Sequence, residues 1–254
     1  VYNEYENLEY LLPQLSNLCI SLNLVFEIIV VDDQSTDRTE DLFKKSEIKI
    51  LPIKHLVRTD KRSLPMSIFE GIEQSQFESV LWLDADGSMD IISVEKLLKE
   101  YINNSQNFYI GSRFVSGGGY KGQDVNDNRI SKIYKNIKNS EDSFLAIYLS
   151  IIFNKVLKYL IKVNISDLTS GFIIGQKKYI SKKVFSKSNY GEYFLYLVAD
   201  LIYKKRNVIE IGYICKPRKY GNSKTSNNLM TLIRLGLPYI KAAILCKKIY
   251  NQKK

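Results

Sequence analysis

The stretch FEIIVVDDQS at residues 26–35 and the stretch SVLWLDAD at residues 79–86 decide how this chain folds. Each contains a continuous apolar run, and each run ends in two carboxylates. Short runs of β-branched and aromatic residues are typical of strands that are covered on both faces, as in a parallel sheet. Because ligands of such sheets bind beyond the carboxyl ends of the strands, both acidic pairs are candidate site residues.

Helical patterns flank these two strands. Leucines at helical spacing predict an amphipathic first helix over residues 4–19. We further predict, in chain order, a helix from about Thr36, a short strand at residues 48–53, helices at residues 64–75 and 93–102, and a strand at residues 108–111. Strands that alternate with helices at this spacing predict an α/β fold, with a mostly parallel, doubly wound sheet and flanking helices.

The second half of the chain has a different pattern. A Gly-rich polar loop at residues 116–128 is followed by the apolar run FLAIYLSIIF at residues 144–153, which continues into a stretch punctuated by lysines. A bilayer span needs about 20 apolar residues, more than this run contains. We therefore predict a membrane-interface helical insertion at residues 130–165, with lysines at the headgroups. The alternative is a core helix that covers the sheet.

A second apolar stretch, residues 229–249, is interrupted by charged residues and a proline and is followed by further lysines. It predicts another interfacial or docking helix, within a basic amphipathic C-terminal segment at residues 228–254. No repeat or linker divides the remainder. Residues 1–227 are therefore predicted to form one domain.

Composition narrows the possible chemistry. One histidine, His55, and three scattered cysteines exclude most zinc sites and Ser-His-Asp hydrolases, and they favour a reducing compartment. Residues 1–127 contain 12 Lys and Arg against 21 Asp and Glu, whereas residues 128–254 contain 25 against 6. An acidic half can hold a divalent cation, and a basic half can attract phosphates, nucleic acid or an anionic membrane surface. The alternative is that the lysines are ordinary solvated surface.

The segment Asp84-Ala85-Asp86 is the central candidate for chemistry. Side chains two residues apart in an extended chain point the same way, so Asp84 and Asp86 can converge on one Mg²⁺ or Mn²⁺ ion. Such an ion can bridge the two phosphates of a nucleotide sugar and take up the charge of the leaving diphosphate. Acidic turns are common at strand ends, so this pair alone is a weak signal.

Further motifs stand in a fixed order around this pair. They are YNE at residues 2–4, VDDQS at 31–35, DAD at 84–86, GSRF at 111–114, GGG at 117–119, SDLTSGF at 166–172 and PRKYGNSK at 217–224. Together they make the chain resemble family 2 glycosyltransferases of the polyprenyl-phosphate type, typified by dolichol-phosphate mannosyltransferase. The resemblance extends to about residue 227 and implies the Rossmann-like GT-A fold. In that family a strand and a proline come before the YNE motif, so we expect the N-terminus to be truncated.

The resemblance implies a nucleotide-sugar site. The family positions that hold the nucleoside correspond to Tyr2, Glu4 and Asp33, with Asp32 beside them. An aromatic ring and carboxylates suit stacking and hydrogen bonding to base or ribose groups. The alternative is that Tyr2 packs in the core and Asp32 caps the next helix.

The resemblance also implies that Asp84 and Asp86 bind the metal and the donor, and that Asp86 is a catalytic residue. Many family members have Gln two residues after the second Asp, as a further ligand. This chain has Ser88 there, so we expect weaker metal binding or a ligand set completed by water. The SDLTSGF segment, residues 166–172, is interpreted as structural, because its residues suit caps and turns.

We expect basic residues to bind the acceptor phosphate. In the family, arginines that grip this phosphate correspond to Arg113, which is also assigned a catalytic role, and to Arg129, with Ser131 assisting. Arg218 and Lys224 correspond to a second phosphate clamp. Guanidinium suits this task because its planar fork donates two parallel hydrogen bonds to phosphate oxygens. Without the surrounding motif, Arg218 and Lys224 would be interpreted as ordinary solvated surface residues.

The predicted function is metal-dependent, inverting transfer of a hexose from GDP-mannose or UDP-glucose to a polyprenyl or dolichyl phosphate. The second pKa of a phosphate is about 6, so the acceptor oxygen is already anionic at neutral pH. Such an acceptor needs no general base, whereas an alcohol does. The predicted location is cytoplasmic and peripheral, at the membrane face.

Other functions stay open at this point. An enzyme that glycosylates a sugar hydroxyl of a cell-envelope glycan would need a base, for which Glu192 and Asp200 are the candidates. A non-catalytic, nucleotide-binding, membrane-associated homologue is the second alternative. Nucleic-acid binding is disfavoured, because the lysines are interleaved with aliphatic runs and form no aromatic and basic stripe. The donor sugar, the nucleotide, the polyprenol length and the oligomeric state are not specified by these motifs.

Overall fold

A computed structural model describes residues 1–120, 123–124, 144–221 and 229–251 of the chain. The first part contains α1 (Tyr5–Ser21), β1 (Ile28–Asp32), α2 (Thr39–Leu42), α3 (Ser46–Lys49), β2 (Ile53–Val57), α4 (Leu64–Gln74), β3 (Ser79–Trp82), α5 (Ile91–Asn103) and β4 (Phe108–Ser112). The second part contains β5 (Gly119–Tyr120), β6 (Gln123–Asp124), α6 (Phe144–Ile161), β7 (Ile173–Gln176), a 3₁₀ turn (Lys177–Tyr179), α7 (Lys182–Ser186), α8 (Tyr193–Tyr203), β8 (Val208–Gly212), β9 (Ile214–Cys215) and α9 (Leu229–Asn251). The predicted α/β architecture is confirmed.

The strands within the described ranges form three hydrogen-bonded sheets, with the orders β1-β2, β3-β7-β4-β8 and β6-β5-β9. β1 and β2 are parallel, with Ile28 opposite Ile53. β4 and β8 are also parallel, but β7 runs antiparallel to both β3 and β4. The larger sheet is therefore mixed, because a strand from the second half of the chain enters between two strands of the first half.

The strand predicted at residues 48–53 is wrong. The chain forms the single helical turn α3 there, and β2 begins only at Ile53. Ile48 is 4% exposed and Ile50 is 82% exposed. In a strand these two residues would share one face, whereas in a helical turn residues two apart point to nearly opposite sides, as Ile48 and Ile50 do. The helices predicted at residues 64–75 and 93–102 are present as α4 and α5.

Helices cover both faces of the four-stranded sheet. Ile110 of β4 and Ile173 of β7 belong to one buried cluster, which includes residues of α6, α8 and α9. Their neighbours Tyr109 and Ile174 belong to a second cluster, formed with α5. Successive strand residues point to opposite faces, so this division follows from the pleat. A third cluster joins α1 to β1, with Leu12 and Val30 at its centre.

Helices α6 and α9 pack on the molecule through one face only. On α6, Leu157 is fully buried, whereas Tyr159 is 80% exposed. The ring of Phe153 on α6 meets that of Tyr239 on α9, with centroids 5.8 Å apart. The core-helix alternative thus holds for one face of α6, and the other face carries exposed apolar residues. Among the described residues, none of the helices combines the length and the hydropathy that a membrane crossing requires.

Candidate active site

A cavity of about 1720 Å³ lies between β1 and β3 and continues beyond their carboxyl ends. The side chains that line its polar end come from separate motifs: Tyr2, Glu4, Asp33, Arg62, Asp84, Asp86, Ser88, Arg113, Tyr190 and Arg218. The fold therefore gathers into one place most of the candidate residues that the structure describes. Asp32 is buried just outside the lining.

Asp84 and Asp86 follow β3, and both line this cavity. Asp84 is exposed to the cavity, whose protein walls desolvate its carboxylate. This desolvation, followed by the neighbouring charge of Asp86, raises the pKa of Asp84 to about 6. Asp86 Oδ1 accepts the backbone N–H of Ser88 at 3.0 Å. Gly87 has a φ of 79°, a conformation that glycine adopts without strain, and so allows this tight turn.

The residues at this turn suit a hard divalent cation. Two crowded carboxylates supply the oxygen ligands that Mg²⁺ and Mn²⁺ prefer, and positive charge between them would relieve their repulsion. Across the described ranges, groups of three or more His, Cys, Asp or Glu arranged to hold a metal are absent. A cation at Asp84 and Asp86 would therefore need further oxygens from a bound phosphate or from water.

The acidic pair after β1 is held by internal partners. Asp33 is buried and forms an ion pair with Arg58, with Nη1 2.5 Å from Oδ1. Its other oxygen accepts the backbone N–H of Ser63 at 2.7 Å. Asp32 accepts the backbone N–H of Ser35 at 2.8 Å and lies 3.4 Å from His55 Nε2. Asp32 therefore closes the turn after β1, while Asp33 keeps one edge on the cavity.

The YNE motif is tied to the loop after β1. Asn3 has a φ of 55°, a left-handed conformation that asparagine tolerates better than most residues. Its Oδ1 accepts the backbone N–H of Thr36 at 2.8 Å, and its own N–H donates to Ser35 Oγ at 2.8 Å. Tyr2, next to it, lines the cavity, with the Arg62 guanidinium 3.8 Å from its ring centroid.

Arg218 lies between the YNE motif and the metal-binding candidates. Its Nη2 donates to Glu4 Oε1 at 2.5 Å, and its Nε is 3.9 Å from Asp86 Oδ2. The other oxygen of Glu4 accepts from Asn7 Nδ2 at 2.7 Å. The backbone N–H of Lys219 donates to the Asp86 carbonyl at 3.2 Å. These contacts bring a segment from the end of the domain against both acidic motifs.

Arg113 is oriented by the SDLTSGF segment. Its Nε and Nη2 donate to the two oxygens of Asp167 at 2.8 Å and 2.7 Å, and Nη2 also donates to Thr169 Oγ1 at 2.8 Å. The Asp167 side chain is completely buried. The segment interpreted as structural therefore fixes the direction in which this guanidinium meets the cavity.

The remaining residues named from the sequence fall into two groups. Arg129, Ser131 and Lys224 lie outside the residues that the structure describes. Glu192 is buried, does not line the cavity, and accepts the backbone N–H groups of Asn189 and Tyr190 at 2.7 Å and 3.1 Å.

Asp200, the second candidate base, lies on α8. Its Oδ2 is 2.6 Å from Lys204 Nζ, one helical turn later. Asp200 is also absent from the cavity lining. Neither candidate base therefore reaches the space in which Asp84 and Asp86 lie.

Sequence reasoning missed three residues of this site. Arg58 and Arg62 come just after β2, at the same sheet edge as Asp33. Two basic residues at a strand end could have been identified from the sequence as candidate site residues. Tyr190 lines the cavity, and burial, followed by the charges of Asp84 and Asp86, raises its pKa. Nothing in the local sequence separates Tyr190 from the many other tyrosines of the chain.

Comparisons with known proteins agree with this arrangement. A family model described as glycosyl transferase family 2 matches residues 1–183. A dolichol-phosphate mannosyltransferase of Pyrococcus furiosus is 37% identical over 117 residues, which are 46% of this chain and 32% of that relative. An undecaprenyl-phosphate 4-deoxy-4-formamido-L-arabinose transferase of Pseudomonas paraeruginosa is 36% identical over 87 residues, or 34% of this chain and 26% of that relative. Each match thus covers less than two thirds of the relative's length.

Solved structures share the fold at low sequence identity. Glucosyl-3-phosphoglycerate synthase of Mycobacterium tuberculosis, in complex with Mn²⁺, UDP and phosphoglyceric acid, has a TM-score of 0.61 and 13% identity over 97% of this chain and 76% of that chain. The same enzyme with Mn²⁺, UDP-glucose and glycerol 3-phosphate also has a TM-score of 0.61 and 13% identity, over 98% and 78% of the chains.

Proposed function

Because this chain belongs to glycosyl transferase family 2 and has the GT-A fold, we propose that it transfers a hexose from a nucleotide sugar to a polyprenyl phosphate. The transfer inverts the configuration at the anomeric carbon and uses Mg²⁺ or Mn²⁺. One observation carries this proposal: the carboxylates of Asp84 and Asp86 share a cavity with the guanidinium groups of Arg113 and Arg218. The acceptor class is supported by the names of the two polyprenyl-phosphate relatives.

The donor binds at the carboxyl ends of β1 and β3. Tyr2 and Asp33 contact the nucleoside, and Asp84 and Asp86 hold the cation. When bound, that cation neutralises charge developing on the leaving diphosphate. Arg218, 3.9 Å from Asp86, adds positive charge at the same phosphates. GDP-mannose and UDP-glucose are both candidate donors, since one relative is named for mannosyl transfer and the neighbouring structures contain UDP or UDP-glucose.

The acceptor is a phosphate that needs no deprotonation. At neutral pH its oxygen is anionic, so the protein has only to aim it at the anomeric carbon. Arg113, clamped by Asp167, supplies an oriented guanidinium for that purpose. Glu192 is occupied by two backbone N–H groups, and neither it nor Asp200 lines the cavity. The absence of an accessible base among these candidates supports a phosphate acceptor over a sugar hydroxyl.

Peripheral membrane binding is part of the proposal. Exposed apolar residues recur along α6 at intervals of four, four and three: Tyr148, Ile152, Val156 and Tyr159. Lys155, also exposed, lies in the same stripe. A helix with an apolar stripe and adjacent lysines suits the interface of an anionic membrane, where the lysines reach the headgroups.

Helix α9 has a similar outer face. Its exposed apolar residues alternate with exposed lysines: Leu237, Lys241, Ile244, Leu245, Lys248 and Ile249. We assign both stripes to the cytoplasmic face of a membrane, where a polyprenyl phosphate would be presented to the cavity.

The activity is tested by transfer of labelled sugar from GDP-mannose or UDP-glucose into an organic-extractable lipid, with polyprenyl phosphate and Mn²⁺ or Mg²⁺. We expect label in the organic phase with one donor, loss of that label in Asp86→Asn, and normal transfer in Asp41→Asn, an exposed control carboxylate. Nucleotide binding without transfer to lipid would contradict the proposed acceptor. Transfer to a sugar hydroxyl that is lost in Glu192→Gln would favour the alternative enzyme.

Membrane binding is tested by co-sedimentation with vesicles of phosphatidylcholine and phosphatidylglycerol. We expect Val156→Glu, on the α6 stripe, to reduce the bound fraction. Ile50→Glu is the matched control, because Ile50 is 82% exposed but lies in the acidic half. Equal binding by both variants would contradict the assigned surface.

A further inference from the structure

One buried polar side chain of α6 lies behind the guanidinium of Arg113. Asn154 is 1% exposed, although Ile152 and Val156, two residues to either side, are 39% and 42% exposed. Residues two apart on a helix point to nearly opposite sides, so Asn154 belongs to the inner face of α6. A buried polar group costs free energy unless its hydrogen bonds are satisfied. The partners of Asn154 therefore indicate what this side chain does.

The amide of Asn154 is fixed by three hydrogen bonds. Its Nδ2 donates to the Ser150 carbonyl at 3.0 Å and to Thr169 Oγ1 at 3.1 Å. Its Oδ1 accepts the backbone N–H of Leu168 at 2.8 Å. If the amide were turned over, its oxygen would face the Ser150 carbonyl and its nitrogen would face the Leu168 N–H, and both contacts would be repulsive. These partners thus allow one orientation of the amide, with an N–H aimed at Thr169.

The hydroxyl of Thr169 is the link from Asn154 to Arg113. Thr169 Oγ1 accepts from Asn154 Nδ2 and, at 2.8 Å, from Arg113 Nη2. Its own proton is directed at Asp167 Oδ1, 3.2 Å away. A hydroxyl has one proton and two lone pairs, so these three bonds use its full capacity. Because Asn154 supplies one of the two donors, it determines which lone pair is left for Arg113.

Asp167 is held independently of Asn154. Its backbone N–H donates to Glu210 Oε1 of β8 at 3.0 Å, and the N–H of Ser166 donates to Oε2 at 2.8 Å. The Asp167 carboxylate also accepts the backbone N–H of Arg113 at 3.0 Å. Loss of Asn154 should therefore leave Asp167 and its bond to Arg113 Nε in place. The expected change is confined to Thr169 and to the Nη2 side of the guanidinium.

We propose that Asn154 is a positioning residue, which acts through the Thr169 hydroxyl to set the direction of the Arg113 guanidinium. Arg113 lines the cavity and Asn154 does not, so Asn154 acts without touching a substrate. The helix that we assign to the membrane surface thereby also orients the group that we assign to the acceptor phosphate. That consequence rests on the proposed function, whereas the orientation of Arg113 does not.

The kinetic test uses variants that break the link, keep it, or weaken α6 elsewhere. Asn154→Asp keeps an acceptor for the Leu168 N–H but removes the donor to Thr169, and Thr169→Val removes the shared oxygen. Both should raise the KM for polyprenyl phosphate about tenfold, which corresponds to about 1.4 kcal/mol of binding free energy. Thr169→Ser, which keeps the hydroxyl, should have the KM of the unmodified chain. Binding of UDP or GDP with Mn²⁺, measured by calorimetry, should not change in any of them.

The matched control for a general loss of stability is Ile161→Ala. Ile161 is buried on the same helix, about two turns beyond Asn154, and takes no part in these hydrogen bonds. Ile161→Ala should lower Tm, because it leaves a cavity, but should not raise the KM for polyprenyl phosphate. An equal rise in KM in this control, or an unchanged KM in both variants that break the link, would overturn the proposal.

A double variant tests whether Asn154 acts through Thr169. If it does, Asn154→Asp should add nothing to the KM of Thr169→Val, since the shared oxygen is already absent. Effects that multiply in the double variant would mean that Asn154 acts by another route, and would also overturn the proposal.

An NMR measurement needs no turnover. A guanidinium held by hydrogen bonds rotates slowly about its C–N bonds, so its Nη groups give resolved signals, which Arg113→Lys assigns. We expect the Arg113 signals to broaden in Asn154→Asp and Thr169→Val and to stay unchanged in Ile161→Ala. Unchanged signals in the first two would contradict the positioning role. Broadened signals in a protein that transfers no sugar to lipid would support the positioning role and count against the proposed function.

Discussion

The molecule contains two acidic pairs of similar sequence that have opposite surroundings. Asp32 and Asp33 follow β1, and Asp84 and Asp86 follow β3. The first pair is buried and is held by Arg58, by His55 and by backbone N–H groups. The second pair faces the cavity, and desolvation, followed by the charge of Asp86, raises the pKa of Asp84 to about 6. The first pair is therefore fixed by the frame of the site, with only an edge of Asp33 on the cavity, and the second pair is left available for a cation.

The difference originates in the residues that pack around each pair and not in the pairs themselves. Asp33 has a cationic partner because the end of β2 carries Arg58 to its side. The nearest guanidinium to Asp86 among the described ion pairs is Arg218, whose Nη2 is bonded to Glu4. A buried carboxylate becomes costly when its cationic partner is removed, whereas crowded carboxylates repel each other and favour a bound cation.

The largest expected effect on stability comes from removing Arg58, the cationic partner of buried Asp33. Arg58→Met leaves Asp33 buried without its cation, and should lower the free energy of unfolding by about 3–5 kcal/mol. Urea denaturation measures the free energy of unfolding of each variant. The matched control is Arg62→Met, since exposed Arg62 stacks on Tyr2 and should contribute no more than about 1 kcal/mol. Similar losses in both variants would show that Asp33 does not depend on its partner.

The second expected effect concerns metal. Mn²⁺ at about 100 times its dissociation constant should stabilise the protein by about 2.7 kcal/mol, because it binds the native state at Asp84 and Asp86. Asp86→Asn should abolish the Mn²⁺-induced shift in Tm, whereas Asp32→Asn should retain it despite its own lower Tm. If the shift disappeared in Asp32→Asn and persisted in Asp86→Asn, the roles assigned to the two pairs would be reversed.

A smaller effect is expected at the turns that follow the pairs. Gly87 has a φ of 79°, and an added Cβ would meet only Lys219 Cβ at 3.5 Å, an ordinary contact. Gly87→Ala should therefore cost about 1–2 kcal/mol from backbone strain alone, as measured by thermal unfolding.

The corresponding residue after Asp33 is Gln34, with a φ of 66°. Gln34→Gly relieves its strain but loses a hydrogen bond to the Asp60 carbonyl, so it should change stability by no more than about 1 kcal/mol. A large loss in Gln34→Gly would mean that its side chain, and not the backbone, supports this turn.

The smallest expected effect is a gain in stability, whereas the preceding substitutions lower it or change it little. Since the pKa of Asp84 is raised in the folded state, its ionised form at pH 7 destabilises the metal-free protein. Asp84→Asn should therefore gain about 1 kcal/mol, a value reduced for the water that reaches this carboxylate. Asp33→Asn should lose stability under the same conditions. Chemical denaturation with a chelator present distinguishes the two signs.

Much of the fold could be predicted because the relevant patterns are local. The apolar runs that became β1 and β3 and the periodic leucines of α1 carry their structure in adjacent residues. The interpretation of residues 48–53 failed, because the alternation of Ile48 and Ile50 spans too few residues to establish a strand period. The entry of β7 between β3 and β4 depends on pairing across the whole domain, which no local pattern encodes.

The candidate site could be predicted in its residues but not in their roles. The motifs identified Asp33, Asp84, Asp86, Arg113 and Arg218, and all of these line one cavity. The binding of the nucleoside by Asp33, with Asp32 beside it, stays a prediction. In the structure Asp33 lines the cavity, whereas Asp32 accepts a backbone N–H in the turn after β1. Arg113 was expected to hold a phosphate, and its ion pair with Asp167 adds a positioning role for a segment interpreted as structural.

By itself, the sequence determined the α/β class, the strand ends that carry carboxylates and the separation of acidic and basic halves. These properties follow from residue type and short-range periodicity, which act through neighbouring positions. Only the tertiary structure decided which acidic pair is neutralised and which stays open. The deciding contacts join residues 25 positions apart, in Asp33 and Arg58, and 214 positions apart, in Glu4 and Arg218. Such contacts arise when separate elements pack, so their energies depend on the assembled fold.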